Sequence, residues 1–459
     1  MNAGRIPAGW LAAAFALSAG TAYAADDATT APPNSYATHV LVSDGVVPAA
    51  HTDANLKNPW GIAFNPFGDV WVADNESSVS TLYDGNGNPD SLVVNIPAGM
   101  AGDGNPTGIV YNGSDDFVVH SGAASGSAIF IFAGEHGTIS GWSPAVDPIN
   151  SILVHDDGDE GAIYKGLALA ANGTENLIYV TDFHNRTVDV YNSQFEEVDV
   201  KGGFQDSRIP PHYAPFGIHN ILGNLYVTYA KQDDEGEDDV PGKGFGYVNV
   251  FDVNGALLKR LVTRGPLNAP WGVALAPASF GRFSNDLLVG NFGDGVINAF
   301  DLATGSFAGS LRTRDGEVMH NEGLWGIAFG NGAHNQPTNT LYFAAGIADE
   351  TAGLYGRIDQ GETPPDIVAP TVTLTAPATG EVTDSVTVSA NAADDVGVAQ
   401  VEFFAGTTSI GVDTTSPYSI VWDTTTVANG DMNLTAVAKD AFGNATTSAA
   451  VAVTVNNAD

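Results

Sequence analysis

The chain has 459 residues, and its 53 acidic against 16 basic side chains give a formal net charge of -37. Such an excess argues against nucleic acid as a partner and against adsorption to anionic lipid, because both would meet a repulsive surface. No cysteine is present, which removes disulfides, thiol catalysis and lipid attachment at a cleavage-site Cys.

From the start of the chain, residues 1–24 combine a basic beginning at Arg5, an apolar core from Trp10 to Leu17 and the small-x-small site Ala22-Tyr23-Ala24. This is the pattern of a secretory signal peptide, too short and wrongly flanked for a membrane anchor. The expected mature chain is therefore exported, extracellular or periplasmic, without membrane insertion, and export without disulfides favours a bacterial source. Residues 25–35 read as a flexible lead-in.

With 54 Gly and 24 Pro and no sustained helical periodicity, the remainder reads as all-β. Residues 267–312 show the unit most completely: four short apolar runs separated by Pro277, Gly293-Asp294-Gly295 and Thr304-Gly305. The unit recurs at Pro59-Trp60-Gly61, Pro106-Thr107-Gly108, Tyr164-Lys165-Gly166, Pro215-Phe216-Gly217, Pro270-Trp271-Gly272 and Leu324-Trp325-Gly326, in steps of 47, 58, 51, 55 and 54 residues. Each tripeptide opens a first strand. A second strand is expected to end at Asp74, Ser121, Asp182, Tyr229, Asn291 and Ala345 in turn. Six repeats predict a six-bladed propeller over 36–358, since radial stacking buries both faces of every sheet. The last repeat lacks a fourth strand, which YATHVLVS at 36–43 is placed to supply.

A Pro-rich and acidic linker is expected over 359–369. Alternating apolar runs over 370–459 then suit an immunoglobulin-like sandwich. The segments APTVTLTAPATG, DDVGVAQVEFFAG and NGDMNLTAVAKDAFGN resemble the bacterial Ig-like domains appended to exported proteins, which implies an accessory role in spacing, self-association or attachment to a surface polymer. NPWGIAFNPFGDVWVADNESSVSTLYD and GLALAANGTENLIYVTDFHNRTVDVY resemble NHL repeats. NAPWGVALAP, LLVGNFGDGVINAFD and LYFAAGIADETAGLYGRI resemble a family of exported bacterial proteins of unassigned function. The resemblance implies the fold. NHL-type rings serve as binding platforms, whereas related rings include lactonases of the gluconolactonase type.

In an up-and-down blade the first strand starts, and the second ends, on one face of the ring, so both sets of residues surround one channel mouth. Trp60, Phe216, Trp271 and Trp325 form an aromatic collar there, with Thr107 and Lys165 completing the circle. Asp74, His120, Asp182, Tyr229 and Asn291 supply polar groups, and together these residues are the candidate ligand site. The competing reading is structural: repeated Asp at strand ends caps turns, and collar aromatics pack as core. Lys165 departs from the repeat and has the stronger claim to function. Acidic runs at 155–160 and 233–239 are expected to be solvated loops, with Ca²⁺ or another divalent cation as the cofactor such carboxylates would take. His212, His219 and His320, with Asn321 and Glu322, make no metal motif. Neither a G-x-S-x-G elbow nor H-E-x-x-H nor a P-loop occurs, so catalysis is left open. Expected partners are a small molecule, glycan or peptide at the mouth. The alternatives are a metal-dependent hydrolase or lactonase acting there, with Asp182 and Asn291 at plausible ligand depth, or a protein-interaction scaffold.

Overall fold

The computed structural model describes residues 35–361, 369–394, 397–440 and 443–457. The expected signal peptide, nearly all of the lead-in and linker residues 362–368 lie outside this range. The chain divides into two compact units, within 32–364 and within 365–459. Both are β structures, and among the described residues no helix is long and apolar enough to cross a membrane.

The larger unit is a propeller. Six first strands, Pro59–Phe64, Pro106–Tyr111, Tyr164–Ala171, Tyr213–Ile221, Pro270–Leu275 and Leu324–Phe329, each pair antiparallel with a second strand of their own sheet. Each first strand packs against the next, and the sixth packs against the first, so among the described residues six sheets close a ring. Apolar clusters fill the spaces between neighbouring sheets, as the two-sided burial of each sheet requires.

The repeated glycine explains how closely the ring closes. A Cβ at Gly217 would lie 2.2 Å from the Trp271 carbonyl oxygen of the next sheet, one at Gly272 2.5 Å from the Trp325 carbonyl, and one at Gly326 2.6 Å from the Trp60 carbonyl. Gly61 stands in the same relation to Thr107, at 2.6 Å. Backbone meets backbone at these points, and only glycine leaves room. Side chains reinforce the joints: the Thr107 hydroxyl donates to the Tyr164 carbonyl at 2.8 Å, and the Thr181 hydroxyl to the Phe216 carbonyl at 2.8 Å.

Tyr36–Ser43 pairs antiparallel with Ala352–Gln360, from Tyr36 opposite Gln360 to Ser43 opposite Leu354, and so completes the last sheet from the other end of the unit. That last strand runs two residues beyond the expected end at 358. The second sheet differs more from the sequence reading. Its second strand is Phe130–Gly134, which pairs with Pro106–Tyr111. The apolar run ending at His120 belongs instead to a two-stranded hairpin, Val118–Ser121 with Ala124–Ser127. Two β-prone runs follow Pro106-Thr107-Gly108, and the repeat pattern points to the nearer; the farther one forms the ladder because both its faces are buried, whereas the hairpin leaves Val118 and His120 exposed.

The smaller unit is a sandwich of two sheets. Thr371–Ala376, Ser385–Ala393 and Ser419–Asp423 form one. Gly430–Asp440 is central to the other, between Val398–Ala405 and Val451–Val455. Alternate residues point inward, giving a core around Val388, Val401, Phe403, Trp422, Leu434 and Val453.

Candidate functional site

The first strands carry two different environments along the ring axis. Near their starting ends, the collar aromatics turn inward and meet. Trp60 stacks on Trp325 with ring centroids 3.5 Å apart, Trp271 approaches Trp325 edge-on at 5.7 Å, Phe216 lies 5.7 Å from Trp325, and Phe292 stacks on it at 4.0 Å. None of the four collar residues is more than 3 % exposed. They form a plug across the ring rather than an open rim. Two of its indole N–H groups are held, Trp271 donating to the Lys165 carbonyl at 2.9 Å and Trp325 to Asn58 Oδ1 at 3.2 Å.

Lys165 sits on this plug, its Nζ 5.1 Å from the centroid of the Trp60 ring. It is 2 % exposed and donates to Glu135 Oε1 at 2.5 Å and to Asp238 Oδ1 at 3.2 Å. Burial opposes its charge, but Glu135 and Asp238 together outweigh burial and hold the ammonium above its ordinary range. Glu135 is itself opposed by burial, yet Lys165 and Asn75 hold it below the usual carboxylate range. Around this pair lie two further acids, both raised by burial. Burial pushes Asp239 up to about 7 against the pull of Lys165, and burial raises Glu350, which accepts from Asn58 Nδ2 at 2.9 Å. The acidic run 233–239 is thus tied to the ring through Asp238 and partly buried at Asp239. Its own backbone is fixed too, with Asp233 N–H donating to the Asp238 carbonyl.

The remaining candidates are apart from this cluster. Asp74 is buried, accepts from the Thr81 hydroxyl at 2.8 Å, and is raised well above the carboxylate range by burial. Asp182 accepts from the backbone N–H groups of Ile163 and Asn185 and from the Asn185 amide. Asn291 donates to the Pro266 carbonyl and to Asp294. Tyr229 is packed between the third and fourth sheets. His120 lies on the exposed hairpin. Asp182 and Asn291 each bond to the turn that follows and to the segment before the first strand of their own sheet, while Asn291 Oδ1 is buried with no partner among the described residues. Among the described residues no group of three or more His, Asp or Glu is arranged to hold a metal ion. Glu135 went unrecognised in the sequence because it follows the second strand that was misassigned. The signal was available in FIFAGE, an apolar run ending in an acid as VWVAD does.

Beyond the plug, the second halves of the first strands line an open cavity of about 530 Å³. Every sheet contributes to the lining, Ile62, Ile109, Leu167, Ile218, Val273 and Ile327 at equivalent positions, and Trp271 is the one plug residue that reaches it. The polar side chains in the wall are Tyr111, His219 and Asn220; no Asp, Glu, Lys or Arg lines it. His219 Nε2 lies 3.1 Å from the Trp271 carbonyl, which can only accept, so the proton is on Nε2 and Nδ1 keeps its lone pair. Burial holds this imidazole down at about 4, hence neutral at pH 7.

The chain is 35 % identical over 325 residues to "Uncharacterized protein R648" of Acanthamoeba polyphaga mimivirus, covering 69 % of this chain and 78 % of the relative. It is 34 % identical over 327 residues to "Uncharacterized protein L690" of the same virus, covering 69 % and 84 %. The chain belongs to their family. Residues 370–436 match the family described as bacterial Ig domain, beyond the propeller. A streptogramin B lyase structure aligns with 71 % of this chain and 97 % of its own at 11 % identity and a TM-score of 0.39. These mimivirus relatives carry no stated activity to transfer, so function in this family has to be read from the site.

Proposed function

We propose that this protein is an exported, surface-associated propeller of the six-bladed, NHL-like kind, which binds a small, neutral, mainly apolar molecule in the channel beyond the plug. One observation carries the reading: a cavity of about 530 Å³, blocked at one end by the aromatic plug and lined without a single ionised side chain. Its size is within the range of small-molecule sites, and its mixture of apolar wall with a few polar groups is theirs as well. A charged ligand would lose its hydration there and gain no opposite charge. A neutral one gains contact with six strands, and a donor group on it meets His219 Nδ1. The signal-peptide pattern supports export, and the bacterial Ig domain supports a role in surface attachment.

The test is a fluorescence titration with neutral naphthyl and terpenoid alcohols, since Trp271 borders the cavity. Saturable quenching that Ala328→Phe abolishes and Trp271→Phe silences is expected, because Ala328 lines the channel. A full panel without saturable binding, or binding indifferent to Ala328→Phe, would refute the proposal.

A further inference from the structure

In five of the six sheets, a small side chain follows the aliphatic residue that lines the channel: Ala63, Val110, Ala168, Ala274 and Ala328. The fourth sheet puts His219 there. Its imidazole turns back towards the plug, edge-on to the Trp271 ring with centroids 5.8 Å apart, and Nε2 donates to the Trp271 carbonyl at 3.1 Å. That bond leaves Nδ1 as an acceptor. Nδ1 has no partner among the described residues, and it is not sealed away as Trp60 Nε1 and Asn291 Oδ1 are, for His219 is only half-buried in the cavity wall.

The other polar side chains of the wall cannot choose between ligands in this way. Asn220 is spent at both ends, its Nδ2 donating to the Leu169 carbonyl at 2.9 Å and its Oδ1 accepting from Gly223 N–H at 3.0 Å. The Tyr111 hydroxyl both donates and accepts, so it serves a hydroxyl and a carbonyl alike. Neutral His219, the state in which burial holds it at pH 7, can only accept from the cavity. A hydroxyl beside Nδ1 gains a hydrogen bond, whereas a carbonyl oxygen there meets a second lone pair. Farther from the plug the wall is Phe64, Leu169, Leu275 and Phe329, which suits an apolar body. Resting on the channel reading above, we infer that His219 sets the specificity of the channel, selecting apolar alcohols, bound with the hydroxyl towards the plug, over ketones of the same skeleton.

The test is calorimetric titration of the whole protein with naphthylethanol and with acetylnaphthalene, an alcohol and a ketone that share one carbon skeleton. Both should bind, and both should be lost with Ala328→Phe. The alcohol should bind more tightly, and His219→Leu should lower the ratio of the two affinities about three- to tenfold, the worth of one hydrogen bond. The difference in hydration between the probes cancels when that ratio is compared across proteins. If the leucine variant fails to fold, His219→Ala installs the residue that most of the other sheets carry at this position. A ratio that the His219 substitution does not move, with both probes still lost to Ala328→Phe, would overturn the role of His219 and leave the channel reading standing. Binding of neither probe would overturn both.

Discussion

Replacing Gly217 by alanine adds one methyl group at the tightest of the ring joints. The new Cβ would sit 2.2 Å from the Trp271 carbonyl oxygen and 3.0 Å from Thr228 Oγ1. Relief requires the two strands to separate by about 1 Å, and overpacking of that kind costs about 1–3 kcal/mol. The ring makes the upper end of that range the expectation, because a joint cannot open without displacing its neighbours. Reduced unfolded-state entropy returns at most about 1 kcal/mol. For a unit of this size, the net loss lowers the melting temperature by roughly 3–6 °C. Calorimetry of Gly217→Ala beside Gly166→Ala gives a graded test, since the latter Cβ would meet the Phe216 carbonyl at 3.0 Å and should cost less. Gly68→Ala is the control, its Cβ meeting nothing closer than the Asn65 amide at 3.4 Å. Equal melting temperatures for all three variants would show that the glycines do not set the spacing of the sheets.

Removal of Lys165 as Lys165→Met leaves Glu135 without its counter-charge and should destabilise by about 3–5 kcal/mol, with Lys165→Met/Glu135→Gln recovering part of the loss in chemical denaturation. Asp238→Asn should cost no more than about 1 kcal/mol in the same assay, because that carboxylate is 76 % exposed. His219 has a folded pKa lowered to about 4 from 6.5, so its contribution is present above pH 6.5 and is lost as pH falls towards 4. Denaturation midpoints of wild type and His219→Phe should therefore diverge across that window, and parallel curves would contradict a buried neutral imidazole. Asp239 shifts the opposite way: its folded pKa of about 7 exceeds the ordinary 3.8, so its contribution is present below pH 3.8 and is lost as pH rises through 7. Asp239→Asn should flatten that part of the profile.

The ring was legible because its closest contacts demand a residue type. At each of the six repeats the x-Gly pair puts glycine where backbone of one sheet meets backbone of the next, so sterics wrote the period into the chain. The collar was legible as a set of equivalent positions, but its state was not. Whether Trp60 and Trp325 ring an opening or stack across it depends on side-chain directions in six separate strands, which spacing does not encode. Lys165 stood out as a departure from the repeat, yet its partners lie 30 and 73 residues away, one of them in a loop that composition alone describes as solvated. The channel cavity left no mark, because residues such as Ile62 and Ile109 have the same apolar character whether they face a channel or a neighbouring sheet. His120 was misplaced for a local reason: a hairpin and a ladder strand look alike over four residues.

The pairing of Tyr36–Ser43 with Ala352–Gln360 also sets a timetable for synthesis. The first strand of the unit emerges with its partner some 310 residues away. At about 5–20 residues per second, it waits roughly 15–60 s without its antiparallel partner. During that interval five sheets can form while the sixth cannot, and the nascent molecule is an open arc with an apolar face at each end. Such faces are what holdase chaperones recognise, so the time between the first strand and the last is the period in which this chain depends most on protection from its neighbours.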